Sequence, residues 1–201
     1  MEKLDIYDEY MNFVGSENRD IVHQKGLWHK TVHCWLYDKS GNIYFQIRKD
    51  SEKLYTTASG HVLANETVKD AFSREVFEEI GAKVDISNAT MVEINAWRMD
   101  KVKNGVPFID RAFANVYINE IDENYNNFVF DETEVLGVVK VNATNCLALL
   151  KNEIINVDGV KITKTNTEKI SLNINDFLVM NGEIALLKYG KILQSIINIK
   201  G

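Results

Sequence analysis

Apolar and polar positions along this chain repeat with two different periods. Residues 67–81 carry the helical one. Val68, Ala71, Phe72, Val76 and Ile80 recur every three or four residues and share one broad face at 3.6 residues per turn, while Lys69, Asp70, Ser73 and Arg74 fall mostly elsewhere. Thr67 with Asp70 three residues later marks the start, and Gly81 the stop. Ahead of this helix, residues 29–38 are rich in aromatic and β-branched side chains and predict a central strand. Residues 39–42 read as a turn. Residues 43–48 alternate Ile, Phe and Ile against Tyr, Gln and Arg, which predicts the paired strand of a hairpin. Residues 4–7 alternate as a strand, 15–18 read as a turn, and Ile21-Val22 as a short returning strand, so 1–28 predict a leading hairpin packed on the main domain. After the helix, strands are predicted at 89–98, 108–118 and 138–141, with a polar turn at 101–105 and the single proline, Pro107, at a strand edge or start. Residues 143–155 read as helical, Asp158-Gly159 as a tight turn, and 175–199 as helical with breaks at Gly182 and Gly190.

Two carboxylates interrupt the helical pattern. Glu75 and Glu79, one turn apart, fall inside the apolar arc close to Val68 and Phe72, and Glu78 sits at its edge. Burying an unpaired carboxylate is costly, so these groups need a cationic partner. A purely structural network with Arg74 is the plainer account. Three acids gathered at the edge of a core are better explained by a divalent cation, and all-oxygen ligands favour Mg²⁺, with Mn²⁺ or Ca²⁺ also compatible.

Composition narrows the class. The 201 residues are 45% hydrophobic, enough for a full core, and the formal net charge of -6 argues against general affinity for nucleic acid or anionic membrane. Cys34 and Cys146 make neither a disulfide framework nor a zinc pattern, which fits a reducing compartment. The first residues hold no basic segment followed by an apolar run, so no signal peptide is expected, and no stretch is long and apolar enough to span a membrane. A cytoplasmic protein is the expectation.

Gly60, then Glu66, then Arg74-Glu75-Val76-Phe77-Glu78-Glu79-Ile80-Gly81 reproduces the spacing of the Nudix box, with only the final aliphatic position, Ala82, smaller than usual. On these residues the chain resembles the Nudix hydrolase family. The resemblance implies an α/β/α sandwich with a mixed sheet: a core at 29–142, an N-terminal strand extension at 1–28, and a mostly helical extension at 143–201 belonging to the same domain. For that extension, closing the substrate pocket and making a homodimer contact both stay open. The resemblance also implies metal-dependent attack of water on a phosphorus of a small-molecule diphosphate, with charge neutralisation and positioning as the main tasks. Glu75 and Glu79 would hold Mg²⁺ (or Mn²⁺), Glu78 would complete the set, and the carbonyl of Gly60 would be a further ligand. Glu66 and Arg74 would brace the loop and helix. The general base would be Glu78, Glu79 or Glu134. Arg48 and Lys53, with Lys49, close the first hairpin just before the box and are candidate phosphate contacts. Trp28, Trp35, Trp97 and Tyr55 are candidates for the rest of the substrate, with core packing favoured for Trp35.

The flanking sequence also resembles the branch that contains isopentenyl-diphosphate isomerase, which binds a metal through histidines and glutamates. Gly60-His61 matches its Gly-His pair, His29 matches one upstream ligand, and His23 approximates another. Two positions depart from it. Ser59 stands where the isomerase has its catalytic cysteine, and Asp110 and Ala112 stand where it has two alternating glutamates, so one acid is missing. The complete glutamate set of the box favours hydrolysis, with the isomerase second and a non-catalytic nucleotide-binding module third.

Overall fold

A computed structural model describes residues 2–103, 105–180, 183–184 and 190–200. The chain runs β1 (Lys3–Tyr7), β2 (Phe13–Asn18), α1 (Arg19–Lys25), β3 (Trp28–Tyr37), β4 (Asn42–Arg48), β5 (Leu54–Tyr55), β6 (Ala58–His61) and α2 (Val68–Ile80). It continues through β7 (Thr90–Lys103), β8 (Val106–Glu120), β9 (Val135–Asn142), α3 (Ala143–Leu150), β10 (Val157–Ile162), β11 (Thr167–Leu172), β12 (Val179–Met180), β13 (Glu183–Ile184) and α4 (Gly190–Lys200).

Among the described residues, eleven strands form one mixed sheet. Its main path is β11-β10-β9-β4-β3-β1-β2, with β5 on β4, β6 and β8 on β3, and β7 on β8. The β3–β8 pair is parallel, from Trp28 opposite Arg111 to Tyr37 opposite Glu120. Alternation along β3 sends side chains to two separate cores. Val32, Cys34 and Leu36 pack with Ala71, Phe72, Val76 and Ile80 of α2. Trp35 and Tyr37 pack on the other face with Phe45, with Cys146 and Leu149 of α3, and with Ile192 and Ile196 of α4. Helices thus cover both faces, as the sandwich requires.

The helix at 68–80 forms with the caps that the sequence calls for. The Thr67 side chain accepts the Asp70 amide, and Gly81 ends the helix at φ 68°. Elsewhere local readings are overturned. Residues 15–18 lie inside β2, and Ile21-Val22 sits in α1, a helix ended by Gly26 at φ 63° that buries Val22 and His23. Two β-branched residues predict a strand only weakly against a helix stop four residues on. The 101–105 turn is shorter, because β7 runs to Lys103; Asn104 lies outside the described residues. Asp158-Gly159 is not a turn but the middle of β10, where a Cβ at Gly159 would stand 3.2 Å from the carbonyl oxygen of Lys140. That glycine serves close strand approach rather than chain reversal. In 175–199, helix is found only from Gly190; a single 3-10 turn spans Ile174–Asp176 and a two-residue strand pair follows, while Gly182 lies outside the described residues. No helix among the described residues is long and apolar enough to cross a membrane.

Candidate active site

The acids predicted to turn inward do so. Glu79 is 6% exposed, and its Oε2 accepts from the Gln46 amide and the Ser59 backbone N–H, both at 3.1 Å. Burial first, then the nearby Glu75 and Glu134 charges, push its carboxyl well above the ordinary range. Burial likewise raises Glu75 to about 7, against the pull of Arg74. A Cβ at residue 60 would collide with the Glu75 carboxylate, so glycine there lets the carboxylate lie against β6 where a side chain would displace it.

Arg74 is the clasp. Its guanidinium holds Glu66 through two bonds of 2.8 and 2.9 Å, Glu75 at 2.7 Å, the exposed Glu78 at 3.0 Å and the carbonyl of His61 at 2.8 Å. Burial pushes the Glu66 carboxyl up, but the pairing with Arg74 more than reverses this. Glu66 also accepts the Leu63 amide at 2.9 Å, which ties the loop after β6 to α2.

Gly60, Glu75, Glu78, Glu79, Glu134 and Arg48 line one cavity of about 470 Å³. Glu134 arrives at the head of β9, whose carbonyl takes the Lys49 amide at 2.8 Å beside the end of β4. Arg48 is paired with Asp50 through two bonds of 3.0 Å and lies over the Tyr55 ring at 5.7 Å. Lys53 is not brought to this group; its ammonium is spent on the carbonyl of Asn175 at 2.8 Å. Tyr55 and Trp97 line the cavity, Trp35 is core, and Trp28 stacks on Phe113 under Arg98 away from the lining. The sequence pattern does not single out Gln46. Its alternation marked it as the polar face of β4, and only the second core layer shows that this face is also covered.

The acid set fits a divalent cation held by oxygens. It places buried carboxylates side by side, the most buried of them hydrogen-bonded only to neutral amides, with the Glu75 carboxylate against a strand position that carries no side chain.

A second cluster lies next door. One ring nitrogen each of His23, His29 and His61 falls within 4.8 Å of the others. His23 Nδ1 bonds the Arg19 carbonyl at 2.9 Å and His29 Nδ1 the Leu27 carbonyl at 3.1 Å, which aims their Nε2 atoms inward. His23 Nε2 is 3.2 Å from His61 Nε2, and His29 Nε2 is 3.5 Å from Asp110 Oδ1. His29 Nε2 and Asp110 Oδ1 are buried without a hydrogen-bond partner. Burial first, then the neighbouring His29, hold His61 down to about 2, and burial lowers His23 and His29 as well. Neutral imidazoles with one carboxylate suit a borderline cation such as Zn²⁺ better than Mg²⁺. Ala112 is in register with His29 and Trp97 and supplies no further ligand.

A NUDIX domain model matches residues 27–154. An uncharacterized Nudix hydrolase of Clostridium acetobutylicum is 32% identical over 167 residues, covering 79% of this chain and 77% of that protein. An isopentenyl-diphosphate Δ-isomerase of Photorhabdus laumondii is 25% identical over 156 residues, covering 75% and 83%. The crystal structure of a Deinococcus radiodurans protein superposes with a TM-score of 0.54 at 19% identity, covering 75% of this chain and 89% of that one, a likeness of fold alone. The chain belongs to the Nudix hydrolase family.

Proposed function

We propose that this protein is a Mg²⁺-dependent pyrophosphohydrolase, with Mn²⁺ as a substitute, acting on a nucleoside diphosphate derivative or a similar phosphorylated small molecule. One observation carries the reading: Glu79 is buried among other acids, and its hydrogen-bond donors are neutral. For the ionised carboxylate that arrangement is unfavourable unless a cation completes it.

Glu75, Glu79 and the Gly60 carbonyl would hold the ion, with Glu78 completing the set. When bound, it neutralises phosphate charge and makes a bound water more acidic. The chain's own groups do the rest. Gln46 and the Ser59 amide fix Glu79, and Arg74, anchored on Glu66, fixes Glu75 and Glu78. Arg48 meets the phosphate oxygens. Glu134 lines the cavity outside the Arg74 network and takes the proton of the water that attacks phosphorus, while the P–O bond to the bridging oxygen breaks.

The imidazole cluster favours a second reading, an isomerase-like enzyme acting on isopentenyl diphosphate. Ser59 in place of a thiol and Ala112 in place of an acid weigh against it. Incubation with nucleoside diphosphate derivatives, dinucleoside polyphosphates and isopentenyl diphosphate, with and without Mg²⁺, separates the readings. Mg²⁺-dependent hydrolysis is expected. An allylic product would replace it with the isomerase, and binding without turnover would replace it with a sensor. Hydrolysis by Glu79→Gln at the parental rate would refute the role of Glu79.

A further inference from the structure

The family match ends at residue 154, yet the chain returns to the cavity after it. Residues 173–178 run along β5. The Leu178 amide donates to the Leu54 carbonyl at 3.0 Å, Leu54 and Phe177 form a parallel bridge, and Lys53 donates to the Asn175 carbonyl. Phe177 is buried edge-on to Phe45, with ring centroids 5.4 Å apart, so the segment is anchored in the core. Asn173 and Asp176 cap the single turn that precedes it. The result is that half-buried Leu178 lines the same cavity as the acids and Tyr55.

Trp97 and Met99, which alternate inward along β7, also line that cavity. A diphosphate has no use for such a wall, because its oxygens need cations and donors; apolar lining takes the part of a ligand that is not phosphate. We infer that Leu178 is a specificity-determining residue that, with Tyr55, Trp97 and Met99, receives an apolar group carried on the substrate's diphosphate. The extension beyond the matched domain thus supplies one wall of the substrate site. This rests on the diphosphate reading above.

Calorimetric titration with Mg²⁺ present tests it without turnover. Three probes resist hydrolysis: methylenediphosphonate, the α,β-methylene analogue of ADP, and the isopentenyl ester of methylenediphosphonate. The parent protein should bind at least one of the substituted probes tenfold or more tightly than the bare one, and the probe it prefers tells an aromatic group from an alkyl one. In Leu178→Asp that preference should fall at least tenfold, and in Leu178→Ala, which buries no charge, about threefold. A parental preference near one, or a preference unchanged within twofold in both variants at unaltered melting temperature, overturns the inference alone. Failure of the parent to bind even methylenediphosphonate with Mg²⁺ overturns the diphosphate reading and this inference with it.

Discussion

Gly60 and His61 are neighbours on β6, but they belong to clusters of opposite chemistry. On the Gly60 side, Glu75, Glu78 and Glu79 crowd like charges around a backbone stripped of its Cβ, and Arg74 holds the arrangement together. On the His61 side, three imidazoles are kept uncharged by burial and by one another, and backbone carbonyls aim them. Once ionised, the first cluster needs a hard cation, because its like charges repel in a buried site; without one the carboxyls hold their protons instead. The second is built of neutral rings that pack against one another, and its cost when empty is confined to the unpartnered His29 Nε2 and Asp110 Oδ1. Adjacent residues on one strand can therefore belong to two clusters whose protonation runs in opposite directions.

The sharpest test of the difference is turnover. Glu79→Gln should lower kcat about 10²–10³-fold or more, the scale for losing one essential charge-stabilising group, whereas His29→Asn should lower it less than about tenfold. Equal losses, measured on a substrate the parent hydrolyses, would mean that the clusters act as one centre.

Stability against pH should separate them next. Glu75 and Glu79 have carboxyls raised by folding, so the folded state holds protons the unfolded state has released, and stability is lost as pH rises above about 4.5. For Glu75, raised to about 7, the loss is on the order of 3 kcal/mol by pH 8, roughly 6–12 °C in melting temperature. His23, His29 and His61 are lowered, so their share runs the other way and stability is lost as pH falls below about 6.5. Metal-free protein should melt highest between these limits. Mg²⁺ should raise the melting temperature more at pH 8 than at pH 5.5; a uniform rise would detach the ion from the carboxylates.

Arg74→Lys keeps the charge but loses the fork that spans Glu66, Glu75 and Glu78. It should cost about 1–3 kcal/mol in a thermal melt and weaken Mg²⁺ binding. A variant with parental Mg²⁺ affinity would show that the clasp does not organise the acid cluster.

The smallest effects distinguish two cations five residues apart. Arg48→Met should raise KM about tenfold, or 1.4 kcal/mol. Lys53→Met should move KM less than about twofold and lower the melting temperature by only about 1–2 °C, since it loses one exposed hydrogen bond. The reverse order would return Lys53 to the phosphate.

The acid cluster was legible because its residues are local. Glu75, Glu78, Glu79, Arg74 and Glu66 lie within fourteen consecutive residues, and a single helical period fixes which of them face the core. Strands β3 and β4 were legible for the same reason, and so was their hairpin. The imidazole cluster was visible in the sequence only through resemblance, because His23, His29, His61 and Asp110 come from α1, β3, β6 and β8. Their meeting depends on the parallel register of β3 with β8 and on a helix where two β-branched residues suggested a strand. Leu178 and the true place of Lys53 depend on a contact more than 120 residues apart. By itself, then, the sequence determined which side chains share a face, since short-range sterics and periodicity act within a turn or a strand. Only the tertiary structure decided which faces meet, because sheet register and chain return are settled by burial summed over the whole molecule.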